Sequence, residues 1–162
     1  MEYFSQEQHP EAKRWMQAAA AVAQQALCQR DKCGAVIVKD GAIVGSGYNA
    51  PPNDDLSHAR CHDVFVPNSK PKSDRTCCMH AEWRAILDAL RRHPEPVEGS
   101  VIFFTRVDGA GNILYSGKPY CTVCSRFVLD VGIAAFVLWH EDGIRSYSAA
   151  QYNDLSHSFE KE

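Results

Sequence analysis

Two continuously apolar runs constrain the fold of this chain more than any other feature of its sequence. The runs at 101–104 and 134–139 lack the alternating polar residues of a half-exposed strand, so both faces of each strand are expected to be buried. Between them, apolar residues recur at helical spacing over 123–131, and Gly132 ends the pattern. A helix between two buried strands is typical of a parallel crossover unit, which predicts an α/β fold.

The sequence before this unit predicts a helix, a hairpin and a second helix. Apolar spacings of three and four predict a helix over 10–29. Two apolar runs at 35–38 and 43–44 flank an Asp-Gly pair, which is a strong hairpin signal. A further helical pattern begins near Met79 and is expected to end before His93.

Two segments lack a regular pattern. The segment 51–76 contains four prolines and predicts a long loop, which in a compact domain tends to border a functional site. The segment 141–162 is interpreted as a tail that can add a terminal helix. With 162 residues and no internal repeat, we expect a single domain over 1–162 with its core at about 10–140.

Net charge and composition indicate which binding partners and which cellular compartment are expected for this chain. A net charge of −3 is a poor electrostatic footprint for a polyanion, so nucleic acid is not expected as a partner. The sequence has neither a secretory signal pattern nor an apolar run of roughly 18 residues, so we expect a cytoplasmic protein without membrane contact. In a reducing compartment, the seven cysteines serve metals or catalysis more often than disulfides.

Two short motifs carry the chemistry. His80-Ala81-Glu82 opens the second predicted helix, and Cys121 and Cys124 open the third at i and i+3. A helix N-terminus favours thiolates, and this spacing turns both sulfurs to one side. One nitrogen and two sulfurs leave the fourth position of tetrahedral Zn²⁺ open, which is the catalytic arrangement. Glu82 is not needed as a ligand, and we predict that it moves the protons. Taken alone, the cysteine pair also fits a thioredoxin-like redox protein.

Together, these motifs and their neighbours resemble a known family. The segments 31–41, 47–51, 80–82, 121–124 and 132–133 are similar to the cytidine and deoxycytidylate deaminase superfamily. The run ending in Gly47-Tyr48-Asn49 is most similar to the deoxycytidylate branch.

The resemblance implies a fold and an activity. The fold is a three-layer α/β/α sandwich with a mixed five-stranded sheet, and the cofactor is Zn²⁺ held by His80, Cys121 and Cys124. The activity is hydrolytic deamination of a cytosine-type nucleotide or nucleoside, with dCMP to dUMP plus ammonia as the best interpretation. Asn49 and Ala81 are expected to bind this small molecule, and the chain is expected to form a homo-oligomer.

Three departures from the family leave the substrate open. Tyr120 separates Pro119 from Cys121 where the family places proline directly before the cysteine, and Arg84 stands where deoxycytidylate deaminases usually have asparagine. The connection over 105–121 is also longer than usual. The alternatives are a purine deaminase acting on guanine or adenosine and, from another class, a noncatalytic zinc-stabilised binding module.

The remaining cysteines and several cationic residues each have a functional and a purely structural interpretation. Some deoxycytidylate deaminases hold a structural metal near the loop that corresponds to 51–76. By this resemblance, a candidate second metal site consists of Cys61, His62, Cys77 and Cys78. The alternative is that these are ordinary thiols and an ordinary histidine. Cys28 and Cys33 are predicted to be buried small hydrophobes. A substrate phosphate could bind to one of five cationic residues, namely Arg30, Arg60, Lys70, Lys72 and Arg75. The alternative is that these residues are solvent-exposed charges without a ligand.

Overall fold

The computed structural model describes residues 9–61, 77–92 and 97–159, together with the backbone of residues 2–3. Two short 3₁₀ turns, Pro52–Asp54 and Leu56–His58, follow the third strand. The helices and strands are, in chain order, β1 (Glu2–Tyr3), α1 (His9–Ala23), β2 (Lys32–Lys39), β3 (Ala42–Tyr48), α2 (Ala81–Arg92), β4 (Val101–Val107), β5 (Ile113–Leu114), α3 (Thr122–Asp130), β6 (Ala135–His140), β7 (Gly143–Ser148) and α4 (Ala149–His157).

The described strands form one mixed sheet in the order β1-β7-β6-β4-β2-β3, and β5 pairs with the end of β4. β4 and β6 are parallel, with α3 between them in sequence, so the predicted crossover unit is confirmed. β2 and β3 form the predicted hairpin, in which Asp40 and Gly41 adopt positive φ values of 51° and 74°. Two of the seven strands, β1 and β5, are two-residue additions to the five that the family resemblance implies.

Helices cover both faces of the sheet, which confirms the α/β/α sandwich. On β2, Val36 and Val38 point to the face that packs against α1. Ala35 and Ile37 point to the opposite face, where α2, α3 and α4 pack. Both faces of the central strands are therefore buried, as their apolar sequences predict.

Glycine at two strand positions allows helices to approach the sheet closely. A Cβ on Gly34 would lie 2.2 Å from the carbonyl oxygen of Ala19 in α1. A Cβ on Gly47 would lie 2.4 Å from the carbonyl oxygen of Ala81 at the start of α2. Real Cβ atoms do not make such contacts, so the position of α2 depends on the missing side chain of Gly47.

The structure differs from the sequence prediction at both ends of the chain. α1 ends at Ala23 and not near residue 29, because the chain turns and the backbone N–H of Leu27 donates to the carbonyl of Asn49. The tail contains the terminal helix that the sequence allowed, α4, but also the unexpected strand β7, and Tyr152 and Ile144 of these elements are buried in the core. Polar residues at 145, 146 and 148 hide the strand in the sequence. Within the described ranges, no helix is long and apolar enough to cross a membrane.

Candidate active site

The two chemical motifs meet where α2 and α3 begin. His80 immediately precedes α2, and its carbonyl accepts the backbone N–H of Arg84 at 3.1 Å. Cys121 caps α3, since its sulfur accepts the backbone N–H of Cys124 at 3.4 Å. Both helices thus direct their N-terminal N–H groups, which carry partial positive charge, toward the motif side chains.

Three potential metal-ligand atoms converge at this point. The Nδ1 atom of His80 lies 3.1 Å from the sulfur of Cys124 and 3.7 Å from the sulfur of Cys121. The two sulfurs are 3.1 Å apart. Tetrahedral zinc with usual bond lengths would hold these atoms about 3.5–3.8 Å apart, so the ligand set fits the ion after a small outward adjustment.

The two thiols differ in acidity. The hydrogen bond between the two sulfurs lowers the pKa of Cys121 to about 4, with a further contribution from His80. The same hydrogen bond and burial raise the pKa of Cys124. The pair therefore loses its first proton at Cys121, and a metal cation would displace the second, as metal binding to thiols does.

Glu82 is a buried carboxyl beside these ligand atoms. It is 5% exposed, and burial raises its pKa, while the nearby His80 opposes the rise. The Cys124 thiol also donates a hydrogen bond to it. A carboxyl with a raised pKa can both accept and release a proton near neutral pH, which suits a general acid-base group.

Trp83 fixes the orientation of the histidine. Its indole is stacked on the His80 ring, with centroids 4.5 Å apart and planes inclined by 10°. Its place in the apolar period of α2 would also suit a core residue, but the structure makes it half-buried and packs it against a potential metal ligand. The helical period alone could not distinguish these two environments.

One cavity of about 400 Å³ is lined by His80, Glu82 and Cys121. The expected substrate-binding residues Asn49 and Ala81 line it. As the first residue of α2, Ala81 has a backbone N–H with no helical carbonyl to bind, so this group suits a ligand. The side chains that complete the wall are Arg30, Asp31, Arg60, Phe104, Tyr120, Tyr152 and the thiols of Cys28, Cys33, Cys61, Cys77 and Cys78.

Asn49 has a structural task that the sequence did not reveal. Its Oδ1 accepts the backbone N–H of Cys33 at 2.8 Å, and its Nδ2 donates to the carbonyl of Asp31 at 2.7 Å. The side chain, which is 8% exposed, thereby ties the end of β3 to the start of β2. One Nδ2 hydrogen remains for a ligand, because the amide has two.

Arg84 does not line the cavity. Its guanidinium donates to Asp54 at 2.8 Å and to the carbonyl of Pro51 at 2.9 Å. Asp54 also accepts the hydroxyl of Tyr48 at 2.8 Å, and the Arg84 guanidinium lies over the Tyr48 ring. Arg84 therefore holds the segment after β3 against α2.

The second thiol cluster shares Cys61 and Cys78 with the predicted set and includes Cys28 in addition. The sulfurs of Cys28, Cys61 and Cys78 all lie within 4.8 Å of one another. The sulfur of Cys77 lies 3.6 Å from that of Cys61 and 3.8 Å from that of Cys78. His62 lies outside the described residues. The prediction of Cys28 as a plain buried hydrophobe is wrong, because the turn after α1 brings its sulfur into the cluster.

Sequence reasoning missed part of the cavity wall. Phe104 lies in a strand predicted from apolarity alone, and Tyr152 lies in the segment interpreted as a tail. Cys33 was assigned to the core, yet it is half-buried and faces the cavity, and burial raises the pKa of its thiol. Arg30 and Arg60 are the predicted phosphate candidates that reach the cavity, whereas Lys70, Lys72 and Arg75 lie outside the described residues.

Comparisons with known proteins agree with this geometry. The family model of the cytidine and deoxycytidylate deaminase zinc-binding region matches residues 9–140. A deoxycytidylate deaminase of Mycobacterium phage D29 is 33% identical over 125 residues, which are 74% of this chain and 86% of the relative. The deoxycytidylate deaminase of Schizosaccharomyces pombe is 27% identical over 139 residues, which are 84% of this chain and 39% of the relative.

A solved structure shares the fold. The crystal structure of dCMP deaminase from the cyanophage S-TIM5, in complex with dCMP and dUMP, is 22% identical and has a TM-score of 0.55. The match covers 83% of this chain and 82% of that chain. This likeness confirms the architecture implied by the sequence motifs.

Proposed function

Because this chain belongs to the cytidine and deoxycytidylate deaminases, a family of zinc-dependent aminohydrolases, we propose that it deaminates a cytosine nucleotide, with dCMP as its best substrate. The reaction replaces the C4 amino group with oxygen from water and gives dUMP and ammonia. The observation that carries this proposal is the buried carboxyl of Glu82 beside one imidazole and two thiols in a cavity.

His80, Cys121 and Cys124 are the proposed ligands of the catalytic zinc. Their three atoms converge on one point, and Cys121 gives up its proton readily. When bound, Zn²⁺ lowers the pKa of water and so supplies a nucleophile at neutral pH. Trp83 keeps the ring of His80 in the orientation that directs Nδ1 toward the sulfurs.

Glu82 is the proposed proton carrier. It takes one proton from the attacking water and delivers it to ring nitrogen N3, where it stays in the product. It then transfers the second water proton to the amine, which leaves as ammonia when the C4–N bond breaks. The raised pKa of Glu82 favours both directions of transfer, since donor and acceptor strengths are then close.

Arg30 and Arg60 are proposed to meet the substrate phosphate. Both line the cavity, and the Nε of Arg30 donates to the carbonyl of Cys61 at 2.7 Å, which fixes the plane of its guanidinium. A planar guanidinium bonds phosphate oxygens in pairs and stays charged at all relevant pH values.

The cluster of Cys28, Cys61 and Cys78 is proposed to hold a structural metal, with Cys77 beside it as a further ligand. Sulfur is the preferred donor of structural zinc sites. The backbone N–H of Arg60 and the neighbouring thiols lower the pKa of Cys77 against the effect of burial, so a thiolate is accessible there.

The test is ammonia release from cytosine, cytidine, deoxycytidine, their monophosphates, guanine and adenosine in one buffer. We expect the highest kcat/KM for dCMP. A preference of tenfold or more for guanine or adenosine, about 1.4 kcal/mol in transition-state binding, would move the chain to the purine alternative. Zinc-loaded protein that releases ammonia from none of them would favour the binding module, and protein purified without metal would favour the redox pair.

A further inference from the structure

Two tyrosines of the cavity have no task in the proton transfers assigned to Glu82. Tyr152 comes from α4 and is 3% exposed, whereas Tyr120 directly precedes Cys121 and is 58% exposed. Neither hydroxyl makes a hydrogen bond to any residue in the described part of the chain. A phenol buried at an enclosed site usually has a partner, so the Tyr152 hydroxyl calls for one, and the Tyr120 hydroxyl is free to bond a molecule in the cavity.

The ring of Tyr152 is rigidly held. It stacks on Phe136 with centroids 3.9 Å apart, and it meets the ring of Tyr147 edge-on at 6.2 Å. Burial and then the charge of Glu82 raise the pKa of its hydroxyl well above the usual value. The group therefore stays neutral and remains a donor as well as an acceptor, close to the carboxyl that moves the protons.

The ring of Tyr120 contacts Phe159 and also lines the cavity. Phe159 packs on it with centroids 5.8 Å apart. Although much of the side chain is exposed, Tyr120 lines the cavity together with Glu82 and Tyr152. Tyr120 is therefore open to solvent on one side and to the cavity on the other.

We propose that Tyr120 and Tyr152 form the subsite that recognises the base, their hydroxyls bonding the polar edge of the heteroaromatic ring from which the amine is removed. This inference rests on the proposed function and adds the residues that select the ring. A six-membered amino-substituted base carries donors and acceptors on its edge, and the aromatic rings of the wall, Phe104 included, suit its apolar faces. A ring with the wrong edge would leave both phenols unpaired and would be rejected.

The test removes one hydroxyl at a time and leaves the rings. Tyr120→Phe and Tyr152→Phe are compared with two matched controls outside the cavity. Tyr115→Phe alters an exposed tyrosine that packs on Trp139, and Tyr147→Phe alters a buried one that bonds His140. All four are made in a Glu82→Gln background so that dCMP stays intact, and its Kd is measured by calorimetry on zinc-loaded protein.

We expect each cavity variant to raise the Kd of dCMP about three- to tenfold, as the loss of a neutral hydrogen bond does. The controls should stay within twofold, with zinc content unchanged in all four. If both cavity variants bind dCMP within twofold of the parent, the inference is overturned. Tyr120→Phe keeps the test decisive even if the buried Tyr152→Phe unfolds.

The failure of this inference can be distinguished from the failure of the proposed function. Ammonia release from dCMP by the wild type, together with unchanged Kd values, rejects the tyrosine subsite and leaves the deaminase standing. If the wild type deaminates none of the bases, the same titration is made with each of them. Weaker binding of any base by the cavity variants then supports the subsite without the reaction, and unchanged binding of all of them rejects it.

Discussion

At the scale of single residues, Cys121 combines two tasks. Its sulfur caps the first turn of α3 and also faces His80 and Cys124. The capping N–H and the Cys124 thiol both favour the thiolate, so the local fold prepares the ligand before any ion arrives. A serine at this position could still cap the helix, but it would be a much poorer zinc ligand.

The two thiol clusters predict the metal content of the protein. Wild type should contain about two zinc ions per chain, one at each cluster. Cys28→Ser and Cys121→Ser should each remove one, and Cys121→Ser should also abolish ammonia release. Cys33→Ser, which alters a cavity thiol outside both clusters, is the control and should retain both ions. Elemental analysis that finds a single zinc in wild type and in Cys28→Ser would contradict the structural site.

Arg30 predicts the preference for a phosphate. Arg30→Gln should lower kcat/KM for dCMP by about tenfold or more and leave deoxycytidine nearly unchanged, because a charge-assisted hydrogen bond to an anion contributes about 1.5–3 kcal/mol. Arg126→Gln, an exposed change on α3 outside the cavity, is the control. An equal loss with both substrates would assign Arg30 to the cavity structure and not to the phosphate.

At the scale of elements, the contact of β3 with α2 sets the position of the catalytic residues. Gly47 faces the first turn of α2, where Ala81 and Glu82 lie. Arg84 adds a second tie one turn later, through Asp54 and the carbonyl of Pro51. The start of α2 is therefore located by backbone proximity and by a side-chain clamp.

Gly47→Ala tests this contact. A Cβ there would lie 2.4 Å from both the carbonyl oxygen of Ala81 and the amide nitrogen of Ala85, so α2 must shift. We expect a loss of about 1–3 kcal/mol in the free energy of unfolding, measured by urea titration, and a clear fall in activity. Gly109→Ala, where a Cβ meets open space, should change neither. Normal activity in Gly47→Ala would show that the helix can move without harm.

At the scale of the whole molecule, His140 predicts how stability depends on pH. Its Nδ1 donates to the carbonyl of Ser116 at 2.9 Å, and its Nε2 lies 2.9 Å from the hydroxyl of Tyr147. Burial lowers the pKa of His140, with a further contribution from Arg145, while Ser116 and Asp142 oppose this. The folded state therefore binds the proton less readily than the unfolded state.

The difference in proton affinity of His140 between the folded and unfolded states decides whether acid stabilises or destabilises the protein. The stabilising contribution of neutral His140 is fully present above the unfolded pKa of about 6.5 and is lost as pH falls below it. The difference in free energy of unfolding between wild type and His140→Gln should thus shrink from pH 7.5 to pH 5. His157→Gln, at the exposed end of α4, should show no such trend. A difference that grows on acidification would contradict the assignment.

Much of this molecule could be predicted from local patterns. The crossover unit followed from two apolar runs, and the proposed ligands and Glu82 followed from two short motifs. The presence of Cys28, Tyr120 and Tyr152 in the cavity wall could not be predicted in this way, because these residues meet only through tertiary packing. β7 was missed because Arg145, Ser146 and Ser148 conceal a strand with buried Ile144 and Tyr147. A single sequence carries no signal for such distant contacts.

The central claim is that Glu82 moves the protons beside a zinc ion in this cavity, and Glu82→Gln tests it most directly. The amide is nearly isosteric but cannot cycle a proton, so ammonia release from dCMP should fall on the order of 10²–10⁴-fold. Zinc content and binding of dCMP should persist. Turnover within a few fold of wild type at unchanged zinc content would contradict the account.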